Sequence, residues 1–168
     1  MDADAARMLR RLLDERPVAS LGTLHRGEPA VSMVPIVRLP GPWALGIHVS
    51  TLSPHTRDLQ DHPRASLMVM AEPGDDPPQA LPRVTLQVEA RFLPRDAAEY
   101  AAGRSAYLAR FPQAAVTFEL ADFSLVRLEP VSARLVAGFG RAFGLAGTAL
   151  ASWLADPAAE GAPPDRPR

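Results

Sequence analysis

Apolar residues near the start of the chain return at helical spacing. Ala6, Leu9, Leu12 and Leu13 fall on one side, and Arg7, Arg10, Arg11 and Glu15 can face water. Pro17 supports an end to this helix near Arg16. Beyond it the pattern shortens toward the two-residue alternation of strands. VASLGTL (18–24) and PAVSMVPIVRL (29–39) read as two strands joined by the turn HRGE, a plausible hairpin. WALGIHVS (43–50) follows the Gly41-Pro42 break as a third strand, and residues 64–70 form a fourth. In residues 83–93 the alternation is plainest: Val84, Leu86, Val88 and Ala90 interleave with Arg83, Thr85, Gln87 and Glu89. Residues 96–110 read as a helix with Asp96 as its cap, 123–137 as one or two strands, and 147–154 as a last short helix.

The segments between these elements are polar or rich in turn residues. TLSPHTRDLQDHP (51–63) is too polar for a core strand and predicts a loop with a short helix. EPGDDPPQALP (72–82) predicts an exposed loop, with the Asp75-Asp76 pair in it, and FPQAAVTFEL (111–120) has no decisive pattern. Strands that outnumber helices, with one long helical insertion, do not make a series of parallel crossovers. The fold class expected is mostly β with flanking helices, a small, largely antiparallel barrel, since closure removes exposed sheet edges. A single domain over 1–155 is expected, with 156–168 (DPAAEGAPPDRPR in context) a flexible tail that can bury little apolar surface.

Composition narrows the chemistry. The chain has 168 residues, 47% of them hydrophobic types, enough for one core. Eighteen prolines and eleven glycines without a collagen-like period fit many turns. The formal charge of −1 lacks the basic excess that binding to a nucleic-acid backbone demands, so no nucleic-acid partner is expected. Zero cysteines exclude disulfides, thiolate metal sites and cysteine nucleophiles. Charges throughout the first fifteen residues are unlike an export signal, and no apolar run reaches membrane-spanning length. A cytoplasmic protein with no membrane partner is the expectation.

The stretch Ser50–Asp58 (STLSPHTRD) collects hydroxyls, an imidazole and a guanidinium between two strands. A helical turn begun at Pro54 would point free N–H groups at an anion, with Arg57 as a bidentate partner for phosphate oxygens. The same residues also make an ordinary capped polar loop, the reading that composition alone favours. Ser32 sits inside the apolar run AVSMVPIV, where a hydroxyl must be satisfied by the backbone or face something polar. Pro35 cannot donate to a ladder, so an edge or irregular strand is expected there, leaving the backbone of Met33 and Val34 for a ligand or a simple bulge. Arg83 either meets the polar edge of a flat ring or faces water. His48 reads as a core histidine before a catalyst, and His25 and His62 carry little signal. Glycine-rich phosphate loops, a nucleophile elbow and a metal-ligand spacing are absent from the sequence.

Taken together, RRLLDERPVASLGTL, GEPAVSMVPIV, HVSTLSPHTRDLQDHPRASLMV and PRVTLQVEARFL resemble the pyridoxamine-phosphate-oxidase-like flavin-binding split barrels. FPQA and DFSLVRLEPVSARLVAGFGRAFGL resemble the haem-utilisation subgroup of that superfamily. The resemblance implies an FMN-binding split barrel that pairs as a homodimer with the cofactor at the subunit interface. It implies an FMN-dependent oxidoreductase of small organic substrates, the alternative being a non-enzymatic flavin- or haem-binding module for storage, shielding or sensing. It places Ser32, Met33, Val34, Val49, Ser50, His55, Thr56, Arg57 and Arg83 around the cofactor, with no residue assigned to catalysis and no metal site beyond haem as the less favoured ligand. The subgroup commonly has HTRN where this chain has His55-Thr56-Arg57-Asp58, so Asp58 is expected to bring a negative charge close to the phosphate. Val88 stands where glycine is common, which implies a less close backbone approach to the ligand there. Longer members of the subgroup carry an additional C-terminal domain for haem handling; it is not expected here, and no histidine follows His62, so haem cleavage is not expected.

Overall fold

A computed structural model of the protein describes residues 2–74 and 77–155, so the Asp75-Asp76 pair and the segment after 155 lie outside it. In chain order the elements are α1 (Ala3–Glu15), β1 (Val18–His25), β2 (Glu28–Pro35), β3 (Val37–Arg38), β4 (Leu45–Ser50), α2 (Pro54–Asp61) and β5 (Arg64–Met70). There follow β6 (Arg83–Phe92), α3 (Ala98–Arg110), α4 (Ala115–Phe118), β7 (Phe123–Val136), β8 (Ala142–Ala146) and α5 (Gly147–Ala155), with short 3-10 turns at Pro78–Ala80 and Pro112–Ala114. The strands form one antiparallel sheet in the order β2-β1-β5-β6-β7-β4-β3. This is the expected mostly β architecture: a curled half-barrel with flanking helices.

Local chemistry accounts for where the elements differ from expectation. The second strand stops at Pro35, and Ile36 turns its N–H to the carbonyl of Pro17 (2.9 Å), leaving only Val37–Arg38 of the remainder as β3. Residues 123–137 form one long strand because β7 has two partners along one edge, β4 at Phe123–Leu128 and β8 at Ser132–Val136. Its ladder with β6 slips between Gln87 and Val88, where Val131 is left without an opposite residue beside Pro130. Strand β8 was not expected, since AFGLA is short and interrupted by glycine. Helix α3 starts two residues late, with Ala97 rather than Asp96 at its cap. The β1–β2 hairpin turns through Arg26 and Gly27, both at positive φ (54° and 86°), the geometry that matches strand twist in two-residue loops.

Two cores result. In the larger one, Leu21, Leu67 and Leu86 line up across β1, β5 and β6 on the concave face, and α1 adds Ala5, Leu9, Leu12 and Leu13. Strand β4 is buried on both faces. Leu45, Ile47 and Val49 enter the larger core. On the outer side a second cluster of Val37, Leu39, Leu93, Tyr100, Tyr107, Phe118 and Leu125 holds α3 and α4. Val88 is a core side chain, so its place in the sequence reflects packing. Gly46 and Gly103 permit that packing: a Cβ on Gly46 would lie 2.7 Å from Leu39 Cδ2, and one on Gly103 2.8 Å from Leu125 Cδ2.

Candidate functional site

The sheet ends at β2 on one side and at β4 and β3 on the other, and β2 has a single ladder partner, β1. The free edge of β2 touches β4 across the split of the barrel. Register fixes which side chains point there. Ser32 lies opposite Leu21, a fully buried residue, so its hydroxyl faces the concave side along with Val34, while Val31 and Met33 face outward. Val31 and Met33 are 74% and 68% exposed.

Helix α2 packs beside this split against β1. Its first turn is closed by the chain itself. Thr56, fully buried, donates its hydroxyl to the carbonyl of Ser50 (2.5 Å), and Ser53 accepts from the Thr56 N–H (3.1 Å). Ser50 Oγ donates to Asp122 Oδ2 (2.6 Å) and accepts from the Leu52 N–H (3.1 Å). The hydroxyls of Ser50 and Thr56 are therefore engaged in building the turn. Ser53, at the cap position, makes no side-chain cap bond, and Pro54 opens the helix. Arg57 is exposed and has no ion pair among the described residues.

His55 joins α2 to β2: its Nδ1 lies 3.1 Å from Ser32 Oγ. Burial pushes the imidazole below its ordinary pKa, against the opposing charge of Asp58, so the neutral form is favoured. Asp58 itself is not where the sequence led us to expect it. Instead of facing an anion at the helix start, it is turned under α2, where Oδ2 accepts from Thr23 Oγ1 (2.8 Å) and Oδ1 meets His25 Nδ1 (2.8 Å). Burial raises its pKa, but the hydrogen bonds from His25 and Thr23 outweigh that and hold the carboxyl below the usual range. The carboxylate is thus turned away from the helix N-terminus and hydrogen-bonded at both oxygens.

The remaining candidates separate. Val34 and Val49 are core side chains, at 2% and 3% exposure, and Val49 is paired with Ser124 of β7. Arg83 starts β6 and donates to the carbonyl of Leu81 (2.9 Å), which ties it to the preceding turn. Its ladder partners are Met70 and Val136, three residues along the sheet from the level of Ser32 and three strands across. Within one chain, then, Ser32, Ser50, His55, Thr56 and Arg57 come together, and Arg83 does not join them.

His48 occupies a different place, on the outer face of β4. Its ring stacks on Phe118 (centroids 3.8 Å apart, 6° between planes) and meets Tyr107 edge-on at 5.7 Å. Thr117 Oγ1 donates to the Ala114 carbonyl (2.8 Å), so toward His48 Nδ1, 3.3 Å away, it can only accept. Nδ1 therefore carries the proton, and Nε2, buried without a partner, keeps a bare lone pair. Burial, helped by the charge of Arg95, lowers its pKa to about 4. Tyr107 beside it is pushed up to about 12 by burial.

Two cavities lie elsewhere. One of about 760 Å³ is lined by Trp43, Pro130, Leu150 and Leu154 and walled by the Arg91, Arg127, Glu99 and Glu129 network. The other, of about 380 Å³, lies between α1 and the 71–72 and 82 segment. Among the described residues no group of three His, Asp or Glu side chains is arranged to hold a metal ion, and no helix is long and apolar enough to cross a membrane. The sequence carried a signal for the α2 turn in its polar run. It carried none for the Thr23–Asp58–His25 cluster, whose members are distant along the chain and meet only through the hairpin.

Comparison with known proteins gives consistent matches. The family model for the CREG β-barrel matches residues 2–147. The heme oxygenase HutZ of Vibrio cholerae is 29% identical over 150 residues, 87% of this chain and 84% of that protein. The chloroplastic non-canonical heme oxygenase HOZ of Arabidopsis thaliana is 39% identical over 95 residues, 56% of this chain and 28% of that protein. A heme-binding protein from Mycobacterium smegmatis superposes with a TM-score of 0.76 at 33% identity, over 89% of this chain and 60% of that one. This chain thus spans less than two thirds of the Arabidopsis and mycobacterial proteins. At 12% identity, a pyridoxamine 5'-phosphate oxidase-type protein from Listeria innocua shares the fold alone, with a TM-score of 0.56 over 79% of this chain and 98% of that one.

Proposed function

The chain belongs to the CREG β-barrel family, and from that premise we propose that it is a haem-binding protein whose ligand lies at the split between β2, β4 and the start of α2. The observation that carries this reading is the convergence there of a hydroxyl, an imidazole and an unpaired guanidinium at an uncapped helix start, Ser32 and His55 being joined at 3.1 Å. The names of the Vibrio, Arabidopsis and mycobacterial relatives support haem over FMN, which reverses the preference drawn from the sequence. The residues fit such a ligand in two respects. Arg57 suits its carboxylate edge, and Leu52, 83% exposed on the same turn, offers apolar contact to a macrocycle. Bound haem would supply a redox-active iron; this chain's own part is to orient the macrocycle and neutralise its carboxylates.

A homodimer accompanies this proposal. Around Val31 and Met33 the convex face carries the uncharged Ser20, Gly22, Ser66 and Met68, with Arg83, Glu89 and Arg134 farther across the same face, and the uncharged part supports a second copy there. Binding of FMN is the second reading, because the start of α2 accommodates a phosphate as well as a carboxylate. Titration of the purified protein with haemin and, separately, with FMN decides between them. A saturable Soret shift, weakened about 5- to 10-fold by Arg57→Ala, is expected. Flavin fluorescence quenching with no Soret change would overturn the haem reading in favour of FMN.

A further inference from the structure

Helix α2 presents two residues one turn apart to different parts of the barrel. His55 reaches Ser32 on β2, and Asp58 reaches Thr23 and His25 on β1. Asp58 is 5% exposed, and each of its oxygens has its own partner at 2.8 Å. Thr23 is buried as well, whereas the His25 side chain is 40% exposed and in exchange with solvent. A single carboxylate thus fastens the helix that carries His55 to the strand next to the one that carries Ser32.

We propose that Asp58 is the positioning residue of the site, fixing α2 against β1 through Thr23 and His25 so that His55 is held at Ser32. The identity of the ligand rests on the haem-binding reading, but the latch does not. Its chemistry depends on a carboxylate. An ionised Asp58 accepts at both oxygens, and protonation of His25 converts the bond on Oδ1 into a charge-assisted one. An asparagine there offers one acceptor and two N–H donors, so it can serve only one of Thr23 and His25 as the carboxylate does, and the other must reverse its role or be displaced. The titratable groups acting on Asp58 are His25 at the end of β1 and His55 one turn back on its own helix, and β2 contributes the uncharged Ser32. Hydrogen bonds from His25 and Thr23 hold the Asp58 carboxyl below its usual range, so it stays an acceptor at both oxygens.

The test needs no ligand. Histidine ring resonances of the whole protein are followed by NMR through a pH titration in the wild type, Asp58→Asn, His25→Gln and Ser32→Ala. In Asp58→Asn the His25 ring signals should shift as the ring loses its carboxylate partner. The His55 signals should move toward the positions they take in Ser32→Ala. His25→Gln, which keeps a donor for Oδ1, should leave His55 near its wild-type positions. Should Asp58→Asn fail to fold, Thr23→Val removes one of the two bonds and should move His55 in the same direction by less. Wild-type His55 signals in Asp58→Asn, or in Thr23→Val where that variant replaces it, would overturn the proposal. A haemin titration of the same samples should show binding weakened about 10-fold by Asp58→Asn. If haemin fails to bind even the wild type, the haem reading falls and the NMR result still decides the latch.

Discussion

Acid should destabilise this protein through one histidine well before its carboxylates titrate. His48 is neutral in the fold because protonation at Nε2 would place a charge among Phe118, Tyr107 and Phe123 with no acceptor to receive the new N–H. Its pKa is lowered from 6.5 to about 4, so the unfolded chain binds a proton that the folded chain refuses throughout that window. The sign follows: the stabilisation is fully present above pH 6.5 and is lost as the pH falls toward 4. Between pH 6.5 and 5 the loss is about 1.4 kcal/mol per pH unit, roughly 2 kcal/mol in all. The assay is urea unfolding at pH 7.5 and pH 5.0 for the wild type and for His48→Phe, which keeps a ring on Phe118 and cannot titrate. The difference between the two proteins isolates His48, since every other group titrates in both. The wild type should lose about 2 kcal/mol more than the variant on acidification, with unchanged m-values. Equal losses in the two proteins would refute the argument that the lone pair of Nε2 is buried and unprotonated.

Two further outcomes follow from packing. Gly46→Ala puts a methyl group 2.7 Å from Leu39 Cδ2 and should lower stability by about 1–3 kcal/mol in chemical denaturation, with part of the loss restored by adding Leu39→Ala. Arg127 is 3% exposed and bonded to Glu129 (2.9 Å), Glu99 (3.1 Å) and the Pro42 carbonyl (2.5 Å), so Arg127→Ala should cost about 3 kcal/mol. Arg127→Met, which keeps most of the volume, should cost less in the same thermal or denaturant experiment.

The local elements were legible because each is announced by nearby residues. The alternation in residues 83–92, the helix before Pro17 and the helical turn begun at Pro54 depend on neighbours within a few positions, and the structure has them where the pattern puts them. Strand β8 escaped because five residues containing a glycine carry too little alternation, and it forms only because β7 extends past β4 and offers an unpaired edge. The irregularity at Pro35 was legible from its missing N–H, but where Ile36 turns depends on a distant carbonyl, that of Pro17.

The candidate site divides along the same line. Sequence alone determined that a polar turn with Arg57 and His55 would stand between two strands, and that Ser32 would sit in an apolar strand needing a partner. Only the tertiary structure made Ser32 and His55 partners, engaged Ser50 and Thr56 within the turn, left Arg83 on another part of the sheet and drew Asp58 beneath α2. The physical reason is that strand order and register are set by burial across the whole sheet. Residues 23, 25, 32, 55 and 58 meet because the β1–β2 hairpin and α2 are packed on one barrel, a relation that no local pattern contains.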